Sequence, residues 1–459
     1  MLFGSTPNFG AGGYKPVAKK PLFSPAQIIV LGYILIILFG ALLLSLPFSQ
    51  KSGAFGNFFD ELFCSTSTVS LTGLLLSPAG ENYSVFGQVV LLLLIQIGGL
   101  GFMTITTLFF SLLGKNISIQ SNMLTRDAIG ESTLSGLSDL IKRVVTMTFV
   151  LEAAGFLLLL PVFIPMFGGG NGVFYSLFHA VSAFCNAGLD ILPAGGFAEI
   201  AGNGWLVFVM SALIILGGFG YIVIFELISY RRGKRLGLYA KVVLIGSLGL
   251  VLAGTLVYFF AESNNPETFG GMPFFERITR AFFLGANDRT AGFSAIDMSN
   301  ATTVSKAFSA FSFIIGGSPA STAGGIKTTT AFLIFMQFLC TLKGKKYITV
   351  GRHTISEKTA GRAEALLFAT LLLMFSAGFI LAISESQSLE VLIYEAASAL
   401  SNSGMSMGGV ASMTPFGKTV LALLMLFGRV GIMTVFLIFM NTARADTEIK
   451  YSETKFLIG

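Results

Sequence analysis

The sequence predicts an all-α polytopic membrane protein built from four parallel repeats, each a helix, a re-entrant pore helix and a second helix. Three observations carry this. The 459 residues are 53% hydrophobic and 11% charged, with mean hydropathy +0.79, far from the roughly 25% charged composition of soluble domains. Four glycines, Gly73, Gly188, Gly292 and Gly404, recur at separations of 115, 104 and 112 residues. Each sits in a short polar island that follows an amphipathic stretch and precedes an apolar run. A second glycine set keeps step 25, 29, 24 and 24 residues later: Gly98-Gly99-Leu100-Gly101, Gly217-Gly218-Phe219-Gly220, Gly316-Gly317 and Gly428-Arg429-Val430-Gly431. A period of this length is too long for a solenoid unit.

Crossing a hydrocarbon core of about 30 Å takes roughly 20 apolar residues. Runs of that kind fall near 27–48, 84–113, 142–164, 204–229, 237–260, 303–341, 364–384 and 416–441. They give eight full spans, two per repeat, around a central pore with pseudo-fourfold symmetry. The chain then divides into a cytoplasmic tail 1–25, repeats 26–114, 115–235, 236–346 and 347–443, and a cytoplasmic tail 444–459. The segment up to Pro25 lacks the apolar core and cleavage site of a signal peptide, so the first span is expected to be retained. Lys and Arg gather within 15–20, 115–143, 231–241, 343–362 and 444–455, all on one side of eight spans, and such loops face the cytoplasm. The other side holds Lys51, Arg277, Arg280, Arg289, Lys306 and Lys418 among many acids. The net charge of +6 is thus an orientation signal that needs no nucleic acid.

Between the two spans of each repeat lie Asn57–Val69, Phe174–Phe184, Phe274–Gly285 and Leu389–Leu400, too short to cross and therefore read as re-entrant. Non-helical backbone at membrane depth survives only where it is buried in protein or lines a water-filled path. Four such segments on one axis make a pore lining. The candidate ion-binding residues are Leu71, Thr72 and Gly73; Asn186, Ala187 and Gly188; Thr290, Ala291 and Gly292; and Asn402, Ser403 and Gly404. Glycine permits positive φ and close backbone approach, so carbonyls can replace water around a cation. The negative helix C-terminus favours the same charge. Helix-packing glycines of the small-xxx-small kind are the competing reading; they account for one island more readily than for four in register.

Repeat three carries Gly316, Gly317, Ser318, Pro319, Ala320, Ser321, Thr322, Ala323, Gly324 and Gly325 inside its last span. Proline costs about 3 kcal/mol and glycine up to about 1 kcal/mol in a helix interior, so two half-helices joined by a polar loop are expected over 316–326, with a kinked helix as the alternative. Below an ion-binding ring this loop is the natural gate. Gly325-Ile326-Lys327-Thr328 approximates the end of a phosphate-binding loop, but Ile326 separates the glycine from the lysine and no soluble strand precedes it. Lys327 and Arg429 lie deep in apolar sequence, where charges normally face the bundle interior with a partner; Arg429 is expected to tether or tune the gate. Glu152 and Glu226 read as structural partners or snorkelling ends. Cys64, Cys185 and Cys340, with His179 and His353, have no metal or disulfide spacing. No cofactor or catalytic constellation is expected, and parallel repeats argue against a secondary transporter with inverted repeats.

The runs Ile97-Gly98-Gly99-Leu100-Gly101-Phe102-Met103-Thr104, Phe178 through Gly188, Arg289-Thr290-Ala291-Gly292-Phe293 and Gly324-Gly325-Ile326-Lys327 resemble the motifs of the Trk, Ktr and HKT potassium transporter superfamily. Within it the chain is most similar to KtrB-type membrane subunits, from about Pro25 to the C-terminus. The resemblance implies potassium ion as substrate, uptake across the bacterial cytoplasmic (inner) membrane, and an intramembrane gating loop. It also implies a homodimer with one pore per subunit and a docked cytoplasmic KtrA-type ring of nucleotide-binding subunits. The basic loops 231–241 and 343–362 are the candidate docking surfaces. Sodium dependence does not follow from these motifs.

Overall fold

The computed structural model describes residues 25–101 and 137–439 apart from Ala194, Arg232, Lys234, Lys346 and Arg352. The two tails and the far half of the 84–113 run lie outside the described residues. Within them, three helices occur in the same order four times. We call these the long, middle and third helix of each set. They are Pro25–Ser45, Phe58–Ser70 and Val85–Leu100; Leu137–Phe167, Gly169–Phe184 and Gly204–Phe219; Leu238–Glu262, Phe274–Asn287 and Thr303–Ile314; and Glu357–Ser384, Leu389–Ser401 and Pro415–Val430. The third helices resume after a break as Tyr221–Tyr230, Thr328–Leu342 and Ile432–Phe439 in sets two to four. A hairpin of Ile348–Val350 and His353–Ile355 joins sets three and four.

Helix starts follow local chemistry. Asn57, Ser84, Asn203, Thr302, Ser356 and Thr414 each accept a bond from a first-turn N–H through the side chain, which satisfies a donor the helix leaves orphaned. The middle helices begin within five residues of the expected positions.

The third helices differ from expectation. The apolar runs 204–229 and 416–441 suggested unbroken spans, with an interruption in repeat three alone. Instead Gly101, Gly220 and Gly431 take φ of 80°, 78° and 96°, and the axis turns by 102° at Gly220. A right-handed helix cannot pass through such a residue, and only glycine adopts it without steric cost. In set three the break widens to residues 315–327. By length and apolarity, four described helices can cross a membrane, or five if the bent pair at Gly220 is one span.

Polarity is arranged inside out. The middle helix Phe58–Ser70 buries Ser65, Thr66, Ser67 and Thr68, while Leu35, Phe39, Phe260, Phe368 and Ile383 on the long helices are exposed. An apolar exterior around a polar centre is the pattern of a chain solvated by lipid. Each long helix packs on its own middle helix. Each third helix packs on the middle helix of the next set: 85–100 on 169–184, 204–219 on 274–287, 303–314 on 389–401, and 415–430 on 58–70. That order returns to its start and closes a ring.

Candidate functional site

The four polar islands meet inside this ring. Gly73, Gly188, Gly292 and Gly404 have φ of 89°, 65°, 82° and 83°. Two residues before each stands a non-glycine in the left-handed region: Leu71 at 59°, Asn186 at 56°, Thr290 at 67° and Asn402 at 56°. Asparagine tolerates that region; leucine and β-branched threonine do not, and such residues persist only where their surroundings hold them, at a cost of order 1–3 kcal/mol each.

The middle helices end alike in three sets. Leu71, Asn186 and Asn402 donate to the carbonyl three residues back, each at 3.2 Å, and Thr72, Ala187 and Ser403 to the carbonyl five back, each at 2.8 Å. This pair of bonds is a Schellman motif. Set three departs: Ala291 donates to Asn287, four residues back, at 2.9 Å.

Side chains then hold the chain leaving the second, third and fourth islands. Ser182 Oγ donates to the Leu189 carbonyl at 2.7 Å. Asn287 exchanges two bonds with Phe293, at 2.7 and 2.8 Å. The Glu395 carboxylate accepts from Met407 N at 2.9 Å.

The island glycines touch in cyclic order. A Cβ on Gly73 would lie 2.6 Å from the Ala187 carbonyl oxygen, one on Gly188 2.6 Å from the Gly292 Cα, and one on Gly292 2.7 Å from the Ser403 oxygen; one on Gly404 would strike the Thr72 oxygen. No side chain fits at these four positions without displacing backbone. What remains is backbone carbonyls from four segments at close range, beside four helix C-termini whose partial charge is negative.

Beneath the islands the second glycine set is explained by contact. A Cβ on Gly98 would strike the Val69 carbonyl, one on Gly217 that of Phe184, and one on Gly428 that of Leu400. Each carbonyl belongs to the residue four before its island glycine. In set three this crossing is absent, and the interrupted segment takes its place. Its stems pair as Gly316 N to Ile326 O at 2.9 Å and Thr328 N to Gly317 O at 3.0 Å. Its tip docks on the broken helix of set two: Ser318 N donates to Gly218 O at 2.9 Å, and Tyr221 N to Ala320 O at 3.1 Å. Tyr239 Oη reaches the Pro319 carbonyl at 3.2 Å, Thr322 Oγ1 the Phe184 carbonyl at 3.2 Å, and Ser321 Oγ the Ser318 carbonyl at 2.6 Å.

Lys327 Nζ donates to the Ala323 carbonyl at 2.7 Å. Arg429 donates to the Thr322 carbonyl at 2.7 Å and to Gly98 O. Under the loop lies a cavity of about 400 Å³, lined from all four sets by residues such as Tyr33, Leu216, Thr322, Gly325, Thr370 and Arg429.

Two readings are refined. Arg289, read from the sequence as a non-cytoplasmic-side cation at the start of the third island, is 4% exposed and donates to Gly316 O and Thr328 Oγ1; Thr328 is not among the candidate site residues the sequence singles out. Arg280, within the stretch Phe274–Gly285 read as re-entrant, is buried and donates to the carbonyls of Ala198 and Ala295. The signal for Arg289 was its place three residues before an island glycine, where other sets carry Ser70, Cys185 and Ser401. Glu152 accepts from Gln96 at 3.2 Å, and Glu226 from Gly237 N at 2.9 Å, which makes both structural partners. The three cysteines are free and buried, and no group of metal-ligating residues occurs among the described residues.

Residues 24–450 match the model of TrkH, the cation transport protein family. The chain belongs to that family. Among TrkH relatives, the potassium/sodium uptake protein NtpJ of Enterococcus hirae is 38% identical over 97% of this chain and 99% of its own. The Ktr system potassium uptake protein B of Bacillus subtilis is 33% identical over 96% and 98%. The crystal structure of the potassium transporter TrkH from Vibrio parahaemolyticus superposes with TM-score 0.73 at 18% identity, covering 92% of this chain and 86% of that one, so the fold is shared. The resemblance read from the motifs is borne out. This TrkH family member is an integral membrane protein of cation transport; its relatives are transporters, which answers the enzyme alternative.

Proposed function

We propose that this chain takes up potassium through a carbonyl-lined filter made by Leu71 to Gly73, Asn186 to Gly188, Thr290 to Gly292 and Asn402 to Gly404, with residues 316–326 as its gate. The observation that carries the reading is the closed ring of four glycines whose Cα atoms admit no side chain. Carbonyl dipoles at that spacing substitute for a cation's hydration shell. In this reading the middle helices are pore helices, the four sets are pore repeats bounded at 26, 115, 236 and 347, and broken third helices complete eight spans about a pseudo-fourfold axis.

The loop lies between that ring and the 400 Å³ cavity, held by Arg429 and Lys327, and is displaced for conduction. Both termini are cytoplasmic and the membrane is the bacterial inner one. The protein forms a homodimer and docks a cytoplasmic nucleotide-binding ring through the basic loops 231–241 and 343–362; Ktr-system relatives support that pairing. No cofactor enters, and potassium is the substrate.

A second reading has one specific support: the 38% identical relative is named for potassium and sodium. Sodium permeation through the same filter then accompanies potassium. Flux of both ions into vesicles separates the readings. Gly73→Ser and Gly292→Ser are expected to lower potassium-over-sodium discrimination without loss of insertion; unchanged discrimination overturns the filter.

A further inference from the structure

We infer that Arg289 and Thr328 form a strut that sets ion selectivity from outside the ion path, by tying the third island to both stems of the gating loop. The inference rests on the filter-and-gate reading above and adds the element that couples its two parts.

Sets one, two and four brace the middle helix against the third by backbone contact at Gly98, Gly217 and Gly428. Set three replaces that contact with side chains. Arg289 Nη2 donates to the Gly316 carbonyl at 3.4 Å and to Thr328 Oγ1 at 3.1 Å. Thr328 Oγ1 itself donates to the Gly316 carbonyl at 3.0 Å, so one hydroxyl joins the guanidinium to both stems. The next island residue, Thr290, accepts from Gly324 N at 3.2 Å through Oγ1. Two consecutive residues of the island thus grip the loop at its beginning and at its end.

The guanidinium is buried and forms no ion pair among the described residues. Its neighbour Asp288 is occupied by Tyr258 at 2.7 Å and Ser309 at 3.4 Å. A buried cation with neutral partners depends on each of them, since losing one leaves a desolvated donor. When the loop moves, Arg289 either follows it or loses both acceptors. Thr290, a β-branched residue at φ 67°, is strained and holds its conformation only through such surroundings. Loop displacement therefore reaches the Thr290 and Ala291 carbonyls, and discrimination between cations varies with the state of the gate.

The test uses the full chain in vesicles, with potassium and sodium influx measured for Thr328→Val, Thr328→Ser, Arg289→Gln and the Arg289→Gln/Thr328→Val pair, and Gly188→Ser alongside. Valine keeps the shape of threonine and removes the hydroxyl; serine keeps the hydroxyl. Thr328→Val is expected to lower potassium-over-sodium discrimination on the order of tenfold, a usual size for coupling between two sites. Thr328→Ser is expected to retain it, and the pair to be no worse than Arg289→Gln alone. Unchanged discrimination in Thr328→Val, equal shifts in the valine and serine variants, or additive losses in the pair each overturn the strut. If Gly188→Ser lowers discrimination while Thr328→Val does not, the strut alone fails. If Gly188→Ser is inert, the filter reading falls and takes the strut with it.

Discussion

Asn402 Nδ2 donates to Thr72 Oγ1 across 2.9 Å, joining residues 330 positions apart in the chain. This bond seals the ring between the fourth island and the first. The same amide group donates to the Met425 carbonyl at 2.8 Å, so one side chain ties the island to its own third helix and to its neighbour. Asn186 holds the equivalent position in set two, its amide set against the carbonyls of Ala183 and Ile214; with the amide oriented by its hydrogen-bond partners, NH2 donates to them at 3.0 and 3.2 Å.

Asn402→Ala removes both bonds and places a residue with a Cβ but no polar group at φ 56°. A buried hydrogen-bonding group left unpaired costs about 1–3 kcal/mol. The expected outcome is a lower thermal midpoint in detergent together with reduced potassium-over-sodium discrimination in vesicle flux. Thr72→Ser retains the acceptor and is expected to behave as the unaltered protein. A variant Asn402→Ala with unchanged midpoint and discrimination refutes the role of this bond.

Helix glycines separate into crowded and open positions. A Cβ on Gly217 or Gly428 meets a backbone carbonyl, whereas one on Gly249, within the long helix Leu238–Glu262, meets nothing within 4 Å. Backbone cannot rotate away as a side chain can, so Gly217→Ala and Gly428→Ala are expected to destabilise by about 1–3 kcal/mol or more, as overpacking does. Gly249→Ala should stabilise by roughly 0.5–1 kcal/mol, because glycine loses more backbone entropy in a helix. Thermal unfolding followed by fluorescence size-exclusion distinguishes the two classes; equal effects at Gly217 and Gly249 would contradict the assigned contacts.

Much of this organisation was legible in the sequence because it rests on periodic, local signals. Two glycine sets in fixed register marked the islands and the crossings beneath them, and sub-spanning amphipathic stretches marked the middle helices to within a few residues. The breaks at Gly220 and Gly431 were not legible. Tyr221–Tyr230 and Ile432–Phe439 are predominantly apolar like the helices before them, and hydropathy is blind to direction. The burial of Arg289 was not legible for a related reason: charge counting assigns a residue to a side of the membrane and is silent on what it touches. Its burial is decided by Gly316 and Thr328, which reach it only after the chain has folded back. The segment 315–327 was legible as an interruption; that it docks on Gly217 and Gly218 was a tertiary matter.

Arg429 gives the last prediction. Its two Nη groups bind the Thr322 carbonyl, on the loop, and the Gly98 carbonyl, on the third helix of set one. The guanidinium therefore links the loop to set one at Thr322, the residue that also docks on set two through Phe184 and Gly217. A hydrogen bond to a charged group contributes about 1.5–3 kcal/mol, and each 1.4 kcal/mol is a factor of about ten in a population. Arg429→Gln shortens the side chain and removes the charge, so it loses at least one of the two carbonyls. The held state of the loop is then disfavoured by roughly tenfold or more. Potassium flux through the chain alone, without any cytoplasmic partner, is expected to rise by a similar factor. Arg429→Lys keeps the charge but carries no fork to bridge two carbonyls, and an intermediate rise is expected. Flux that stays at its starting level in Arg429→Gln, with protein amount in the vesicles matched, is incompatible with Arg429 holding the loop.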